Sequence, residues 1–77
     1  MKAETMGERL KRLREAAGMS QPQLAAAAGV LVGTLRQWEQ GRRLPNLEGF
    51  FAVADALGAS LDDFRDKPEG AKKKGKG

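Results

Sequence analysis

Apolar residues recur at every third or fourth position through most of this chain of 77 residues, and short polar or glycine-containing breaks separate the runs. Such spacing places apolar side chains on one face of a helix, and no run shows the strict alternation typical of a half-buried strand. Start and stop signals divide residues 5–66 into five short helices. The pattern therefore predicts an all-α fold, a compact bundle of five helices.

The first two predicted helices each begin at a capping box, in which a Ser or Thr and a Glu or Gln three residues later bond to each other's backbone N–H groups. The two pairs are Thr5 with Glu8 and Ser20 with Gln23. Gly18 is expected to end the first helix in the left-handed conformation. The apolar face of that helix is predicted to consist of Met6, Leu10, Leu13 and Ala17.

Pro45 and Asn46 open the fourth predicted helix, which stops before Gly58. Consecutive helical positions cannot both point inward, so Phe51 is left outside the core when Phe50 faces it. The predicted apolar face consists of Leu47, Phe50, Val53, Ala54 and Leu57.

The C-terminal part of the chain divides into a short helix and a tail. Ser60 and Asp63 predict a cap for a fifth helix that contains Phe64. Residues 67–77 are rich in Lys and Gly and contain no apolar residue larger than alanine, so they cannot bury a core face. We therefore expect one domain over residues 1–66 and a disordered tail beyond it.

Composition excludes several classes of site. The chain has no cysteine and no histidine, so it lacks disulfides, thiolate metal ligands and the usual proton carrier of neutral pH. Asp62, Asp63 and Asp66 are spaced as charges at a helix N-terminus and lack the loop ligands of a calcium site. No paired acid and base indicates a catalytic pocket. We expect no enzyme activity, no cofactor and no metal.

The sequence also bears on where the protein acts. Its longest apolar stretch is far short of the roughly 20 residues that cross a bilayer, and no signal-peptide pattern opens the chain. The absence of cysteine is compatible with a reducing compartment. We expect a soluble protein of the cytoplasm, associated with the nucleoid and not with a membrane.

The formal net charge of +4 is unevenly distributed. Eight basic and four acidic residues lie in residues 1–47, one basic and five acidic in 48–66, and five basic and one acidic in 67–77. This distribution indicates a polarised molecule with one face turned toward a polyanion. Ordinary solvated surface charge is the alternative.

Small residues occupy the positions where the second and third predicted helices must meet. Helices separated by only three or four residues cross steeply, and close approach of their backbones requires small side chains. Ala25 permits that approach, and Gly29 supplies the positive φ of the turn. Val30, Leu35 and Trp38 are expected to anchor the third helix on the core. These offsets predict a helix-turn-helix.

Residues 5–66 resemble the Xre/Cro-type helix-turn-helix family of phage repressors, bacterial regulators and some antitoxins. The resemblance is carried by SQPQLA at 20–25, GV at 29–30, TLRQWEQGRRLP at 34–45, ADALG at 54–58 and SLD at 60–62. It implies a lambda-repressor-like fold with helix three as the recognition helix. It also implies a sequence-specific transcriptional regulator, a repressor or an autoregulating antitoxin.

The resemblance further implies a homodimer on a palindromic operator in double-stranded DNA. Two-fold symmetry in the protein is the usual counterpart of palindromy in the operator. Phe51 or the edge of the fifth helix is expected to contribute to the dimer.

Residues outside the third helix receive roles from the same resemblance. Gln21 matches the family's glutamine that contacts a phosphate and sometimes a base edge. A helix N-terminus favours the phosphate contact, and a solvated polar residue is the alternative. Arg42 and Arg43 follow helix three and suit phosphate contacts beside the groove, or are solubilising loop charges. Arg14 and Glu39 match a pair that joins helix one to helix three in the family.

The third helix departs from the family pattern at the positions expected to face bases, which are Leu31, Val32, Gly33, Thr34, Arg36 and Gln37. Leu31 stands where relatives have a Ser or Thr cap, which removes about 1 kcal/mol. Apolar side chains can contact thymine methyls and Gln37 can pair with adenine, so specificity is expected to be modest or to lean on DNA shape. Alternatively, Leu31 and Val32 form an apolar patch for a protein partner, as in an interaction module or an antitoxin subunit with weak DNA specificity.

Overall fold

The computed structural model describes residues 4–64, which form four α-helices and a terminal 3-10 helix. The elements are α1 (Met6–Ala16), α2 (Gln21–Ala28), α3 (Val32–Gln40), α4 (Leu47–Leu57) and the 3-10 helix Leu61–Phe64. No strand occurs within residues 4–64, so the all-α prediction is confirmed for this range. The predicted domain boundary at residue 66 and the predicted tail at 67–77 lie outside the described residues.

The prediction of five α-helices is wrong. After α4, the last four described residues, Leu61–Phe64, form a 3-10 helix. The backbone N–H of Asp63 donates to the carbonyl of Ser60 at 3.0 Å, which is the i to i+3 bond of this tighter helix. The Asp63 carboxylate accepts from the Ser60 N–H at 2.9 Å. As far as residue 64, the predicted cap therefore begins a 3-10 helix and not an α-helix.

Three helices begin at a polar side chain that caps the backbone. Thr5 and Glu8 form both bonds of a capping box at 2.9 and 3.0 Å, and Ser20 and Gln23 do the same at 2.8 and 3.1 Å. The side-chain Oδ1 of Asn46 caps α4 by accepting from the N–H of Gly49 at 2.7 Å. The predicted starts of α1, α2 and α4 are confirmed.

A single core lies between the helices, and α2 packs against both α3 and α4. Trp38 is buried as predicted, and the Phe50 ring meets Phe64 edge to face with 4.9 Å between centroids. Phe51 stays on the surface, as predicted. The fully or nearly buried apolar residues are Leu10, Leu24, Ala25, Leu35, Trp38, Val53, Ala54 and Phe64.

Two residues predicted to lie on apolar helix faces are exposed. Ala17 is the C-cap of α1, beyond the last packed turn. Leu47 is the first residue of α4 and is 66% exposed, because helical side chains lean toward the N-terminus and this one extends past the bundle. The predicted faces are therefore wrong at one end of each helix.

Two glycines allow α3 to lie directly against its neighbours. A Cβ atom added to Gly7 would lie 2.5 Å from the carbonyl oxygens of both Trp38 and Glu39. A Cβ atom on Gly49 would lie 2.7 Å from the Trp38 ring. The backbone of α1 thus touches the end of α3, and the backbone of α4 touches the indole.

In residues 4–64 no helix combines the length and the hydropathy required to cross a membrane. The same residues contain no group of three carboxylate, cysteine or histidine side chains placed to hold a metal ion.

Candidate functional site

Helices α2 and α3 are joined by a turn of three residues. Gly29 adopts φ +71°, a conformation that side chains with a Cβ rarely take. The N–H of Val30 donates to the carbonyl of Ala25 at 2.9 Å, and the N–H of Gly29 donates to that of Ala26 at 3.2 Å, which together form a Schellman motif. Ala25 is buried at this end of α2. The turn sets α3 against α2.

The exposed side chains of α3 share one face. Residues 33, 36, 37 and 40 lie within about 100° of the helix circumference, and all four are exposed. Leu35, Trp38 and Glu39 point the other way and are buried. Of the predicted base-facing residues, Gly33, Arg36 and Gln37 therefore lie on the exposed face.

Val32 and Thr34 lie at the two edges of that face and are half-buried, and Val32 packs against the core. Gln40 is on the exposed face but was not among the predicted residues. Its separation of three and seven residues from Gln37 and Gly33 could have identified it, because that spacing keeps side chains on one face.

The first turn of α3 lacks a side-chain cap. Leu31 is the N-cap residue, forms no capping hydrogen bond and is 77% exposed. Of the two residues of the predicted apolar patch, Leu31 is exposed and Val32 is half-buried.

The structure brings Arg14 and Glu39 together as a buried ion pair. Arg14 Nε donates to Glu39 Oε2 at 2.7 Å, and Nη2 donates to Oε1 at 3.2 Å. Only 10% of the Arg14 side chain and 3% of the Glu39 side chain are exposed. The hydrogen bonds to Glu39 raise the pKa of Arg14, against the opposing effect of burial. Because two bonds hold the carboxylate in a plane, the pair fixes α1 to α3.

Gln21 extends this pair to α2, which the sequence did not predict. Its Nε2 donates to Glu39 Oε1 at 3.0 Å. A carboxylate only accepts, so this contact orients the amide with its nitrogen inward. Gln21 is the first residue of α2 and is half-buried. One carboxylate therefore fixes the ends of three helices.

A second cluster, formed around Arg9, was also missed by the sequence. Arg9 Nη1 donates to the carbonyl of Phe64 at 2.7 Å, and Nε donates to Glu4 at 3.2 Å. Arg12 donates to the same carboxylate at 2.8 Å, and this bond is the main cause of a lowered pKa for Glu4. Arg9 and Phe64 are separated by 55 residues, so no local spacing could have revealed their contact.

Three exposed arginines surround the outer face of α3. Arg36 lies on the face, and Arg42 and Arg43 follow the helix. The loop stays close to α3, because the N–H of Arg42 donates to the carbonyl of Gln37 at 3.0 Å. Between residues 16 and 47 the only carboxylate is Glu39, which is buried in its ion pair. The outer surface of α3 and its following loop is therefore basic.

Comparison with known proteins gives a consistent result. Residues 5–66 match a family described as a helix-turn-helix domain. The chain is 36% identical over 57 residues to the cryptic phage CTXphi transcriptional repressor RstR of Vibrio cholerae, covering 74% of this chain and 51% of that protein. The chain thus spans about half the length of that relative.

Two further matches cover more of the protein compared. The uncharacterized HTH-type transcriptional regulator YazB of Bacillus subtilis is 36% identical over 64 residues, which are 83% of this chain and 93% of YazB. The crystal structure of the P22 c2 repressor with a synthetic operator superposes with a TM-score of 0.73 at 33% identity, covering 78% of this chain and 91% of that one.

Proposed function

Because this chain belongs to the helix-turn-helix domain family, we propose that it is a DNA-binding transcriptional regulator in which α2 and α3 form the helix-turn-helix and α3 enters the major groove. The single observation that carries the proposal is the basic outer face of α3, which offers polar side chains and no carboxylate. The P22 c2 repressor, a protein of similar fold, was solved with its operator.

Phosphate contacts would position the domain. Arg42 and Arg43 are exposed beside α3, where guanidinium groups reach phosphate oxygens on the rim of a groove. Gln21 stands at the N-terminus of α2, whose backbone N–H groups and dipole favour an anion. One Nε2 hydrogen of Gln21 bonds to Glu39, and the second is available for a phosphate.

Base contacts would come from the exposed face of α3. Arg36 suits guanine, because its guanidinium offers two donors to the two acceptors of that base. Gln37 and Gln40 suit adenine, because each amide offers one donor and one acceptor. Val32 and Thr34 lie at the edges of the face and would contact bases at the limits of the site. Leu31 is exposed at the N-cap of α3 and suits a thymine methyl.

We further propose a homodimeric repressor that binds a palindromic operator in the nucleoid of the cytoplasm. The dimer surface would consist of exposed apolar side chains at α4. Leu47 and Phe51 lie four residues apart on that helix and are 66% and 44% exposed, and Leu44, which precedes the helix, is 76% exposed. Light scattering of the chain, alone and with its duplex, should show two chains on each duplex. Single chains in both conditions would contradict the dimer.

Selection of bound duplexes from a random pool tests the DNA-binding proposal, and enrichment of an inverted repeat is the expected result. Two variants then separate positioning from base recognition. Arg43→Ala should weaken the selected and random duplexes by similar factors and lower the salt dependence by about one ion. Gln37→Ala should weaken the selected duplex by about 1–3 kcal/mol and random DNA much less.

The matched control is Lys11→Ala, which removes one positive charge from an exposed position of α1. It should leave both affinities nearly unchanged. A chain that enriches no duplex but binds a protein through exposed Leu31 would instead be an interaction module or an antitoxin subunit, and the DNA-binding proposal would be abandoned.

A further inference from the structure

The first turn of α3 lacks the side-chain cap with which the other three α-helices of the described residues begin. The N-cap residues of α1, α2 and α4 are Thr5, Ser20 and Asn46, and each forms a side-chain capping bond. The corresponding residue of α3 is Leu31, which forms none. Two positions later stands Gly33, and glycine is the second-worst helix former. Two unfavourable choices therefore fall within one turn.

Gly33 is the only one of the seven described glycines for which the fold gives no reason. Gly7 and Gly49 lie so close to neighbouring atoms that a Cβ would clash. Four others, Gly18, Gly29, Gly41 and Gly58, have positive φ values. Gly33 has no positive φ, and a Cβ added to it would meet nothing within 4 Å. Folding alone would accept alanine at this position.

The position of Gly33 on the surface indicates why residue 33 has no side chain. It begins the exposed face of α3, one turn before Gln37 and two before Gln40. A glycine exposes helix backbone, so a ligand can approach the helix axis more closely here than at any position with a side chain. The long side chains that follow reach out from the same face.

We infer that Gly33 determines specificity as the point at which the backbone of α3 lies directly against base edges. This inference rests on the proposed DNA binding. A side chain at residue 33 would occupy the space of a base edge and hold the helix away from the groove floor. Arg36 and Gln37 would then lose the distance at which their paired hydrogen bonds form.

The test is Gly33→Ala in the full chain, measured for both stability and affinity. The melting temperature should rise by about 2–8 °C, because alanine reduces the conformational freedom of the unfolded chain. Affinity for the selected duplex should fall about 5- to 150-fold, the range of one mismatched base pair, and affinity for random DNA should fall less. A rise in melting temperature together with a fall in affinity would show that glycine at this position serves DNA binding and not folding.

A reciprocal control removes a methyl group from another exposed helical position. Ala27→Gly on α2 should lower the melting temperature and leave the ratio between selected and random duplexes unchanged. A repeated duplex selection with Gly33→Ala should change the preferred base at one or two adjacent positions.

Each other outcome overturns a defined statement. A Gly33→Ala chain that binds the selected duplex as tightly as the original, with the same preference, shows that residue 33 does not face bases, while the DNA-binding proposal stands. A Gly33→Ala chain that loses stability shows a structural need for glycine and also refutes the inference. An original chain that selects no duplex refutes the proposed function itself.

Discussion

The two ends of α3 are held in opposite ways. At the C-terminal end Trp38 and Glu39 are buried, the Gly7 backbone contacts their carbonyls, and Arg14 binds the carboxylate with two hydrogen bonds. At the N-terminal end Leu31 is exposed and caps nothing. One helix thus has an anchored end and a weakly held end.

This difference shows how a small domain combines a fixed direction with an adaptable contact surface. The anchored end determines where α3 points, because three other helices contact it or its ion pair. The weakly held end has no side-chain cap and an exposed N-cap residue, and helix ends of this kind open at low free energy. DNA bound there would supply interactions that the fold itself omits. Four changes test this account, in order of expected effect.

The largest effect is expected from Arg14→Met, which leaves Glu39 buried without its cation. Removing one partner of a buried pair destabilises by about 3–5 kcal/mol, because the remaining charge is uncompensated. Urea unfolding followed by circular dichroism measures the loss. The double variant with Glu39→Leu should recover most of it. A single variant that loses less than about 1 kcal/mol would show that the anchor does not depend on this pair.

Gly7→Ala tests the backbone contact at the same end. The added methyl group would meet the carbonyl oxygens of Trp38 and Glu39, so α1 must move away from α3. Overpacking of this kind costs about 1–3 kcal/mol. Thermal melting should therefore show a lower midpoint for Gly7→Ala and a higher one for Gly33→Ala. If both substitutions raised the midpoint, the two ends of α3 would not differ as described.

A smaller effect of opposite sign is expected from Leu31→Ser, which supplies the absent cap. A serine hydroxyl at this position should stabilise the domain by about 1 kcal/mol and slow amide hydrogen exchange in the first turn of α3. Leu31→Ala is the control, since it removes the apolar side chain but cannot cap. Equal stabilities of the two variants would show that this turn is not limited by its missing cap.

The smallest effect is expected from Glu4, where a carboxylate bonds to arginine at the surface. Its bond with Arg12 lowers the pKa of Glu4, so this stabilisation is present above the ordinary value of 4.5 and is lost as pH falls through the lowered value. Glu4→Gln should reduce the acid dependence of the melting temperature below pH 4.5 and change little at neutral pH. A large fall in the melting temperature of Glu4→Gln at neutral pH would mean that burial is not what makes the Arg14–Glu39 pair more stabilising than the surface pairs of Glu4.

The local features of the fold were predictable from sequence. Thr5, Ser20 and Asn46 signal helix starts because a cap needs only residues within one turn. The 3-10 helix at Leu61–Phe64 was not predictable, since the same capping residues begin either kind of helix. The close contact at Gly7 depends on tertiary packing, although a glycine inside a helix is itself a hint of such contact.

The candidate site was predictable in its position but not in its connections. Arg36 and Gln37 were placed on the outer face by the resemblance to the Xre/Cro-type family. Val32 and Thr34 fell at its edges, because half-burial depends on neighbouring helices that spacing along one helix does not describe. The bond between Gln21 and Glu39 spans two helices and depends on their packing, so it also required the structure.

The burial of Trp38 has an optical consequence. It is the only tryptophan, and the chain has no tyrosine. Light of a wavelength that nucleotides do not absorb therefore excites one indole, which lies against Gly49 at 6% exposure. Its fluorescence should shift to longer wavelengths when the anchored end of α3 becomes hydrated. The protein thus carries an intrinsic reporter for the end of its helix that is expected to stay still while the other end meets a ligand.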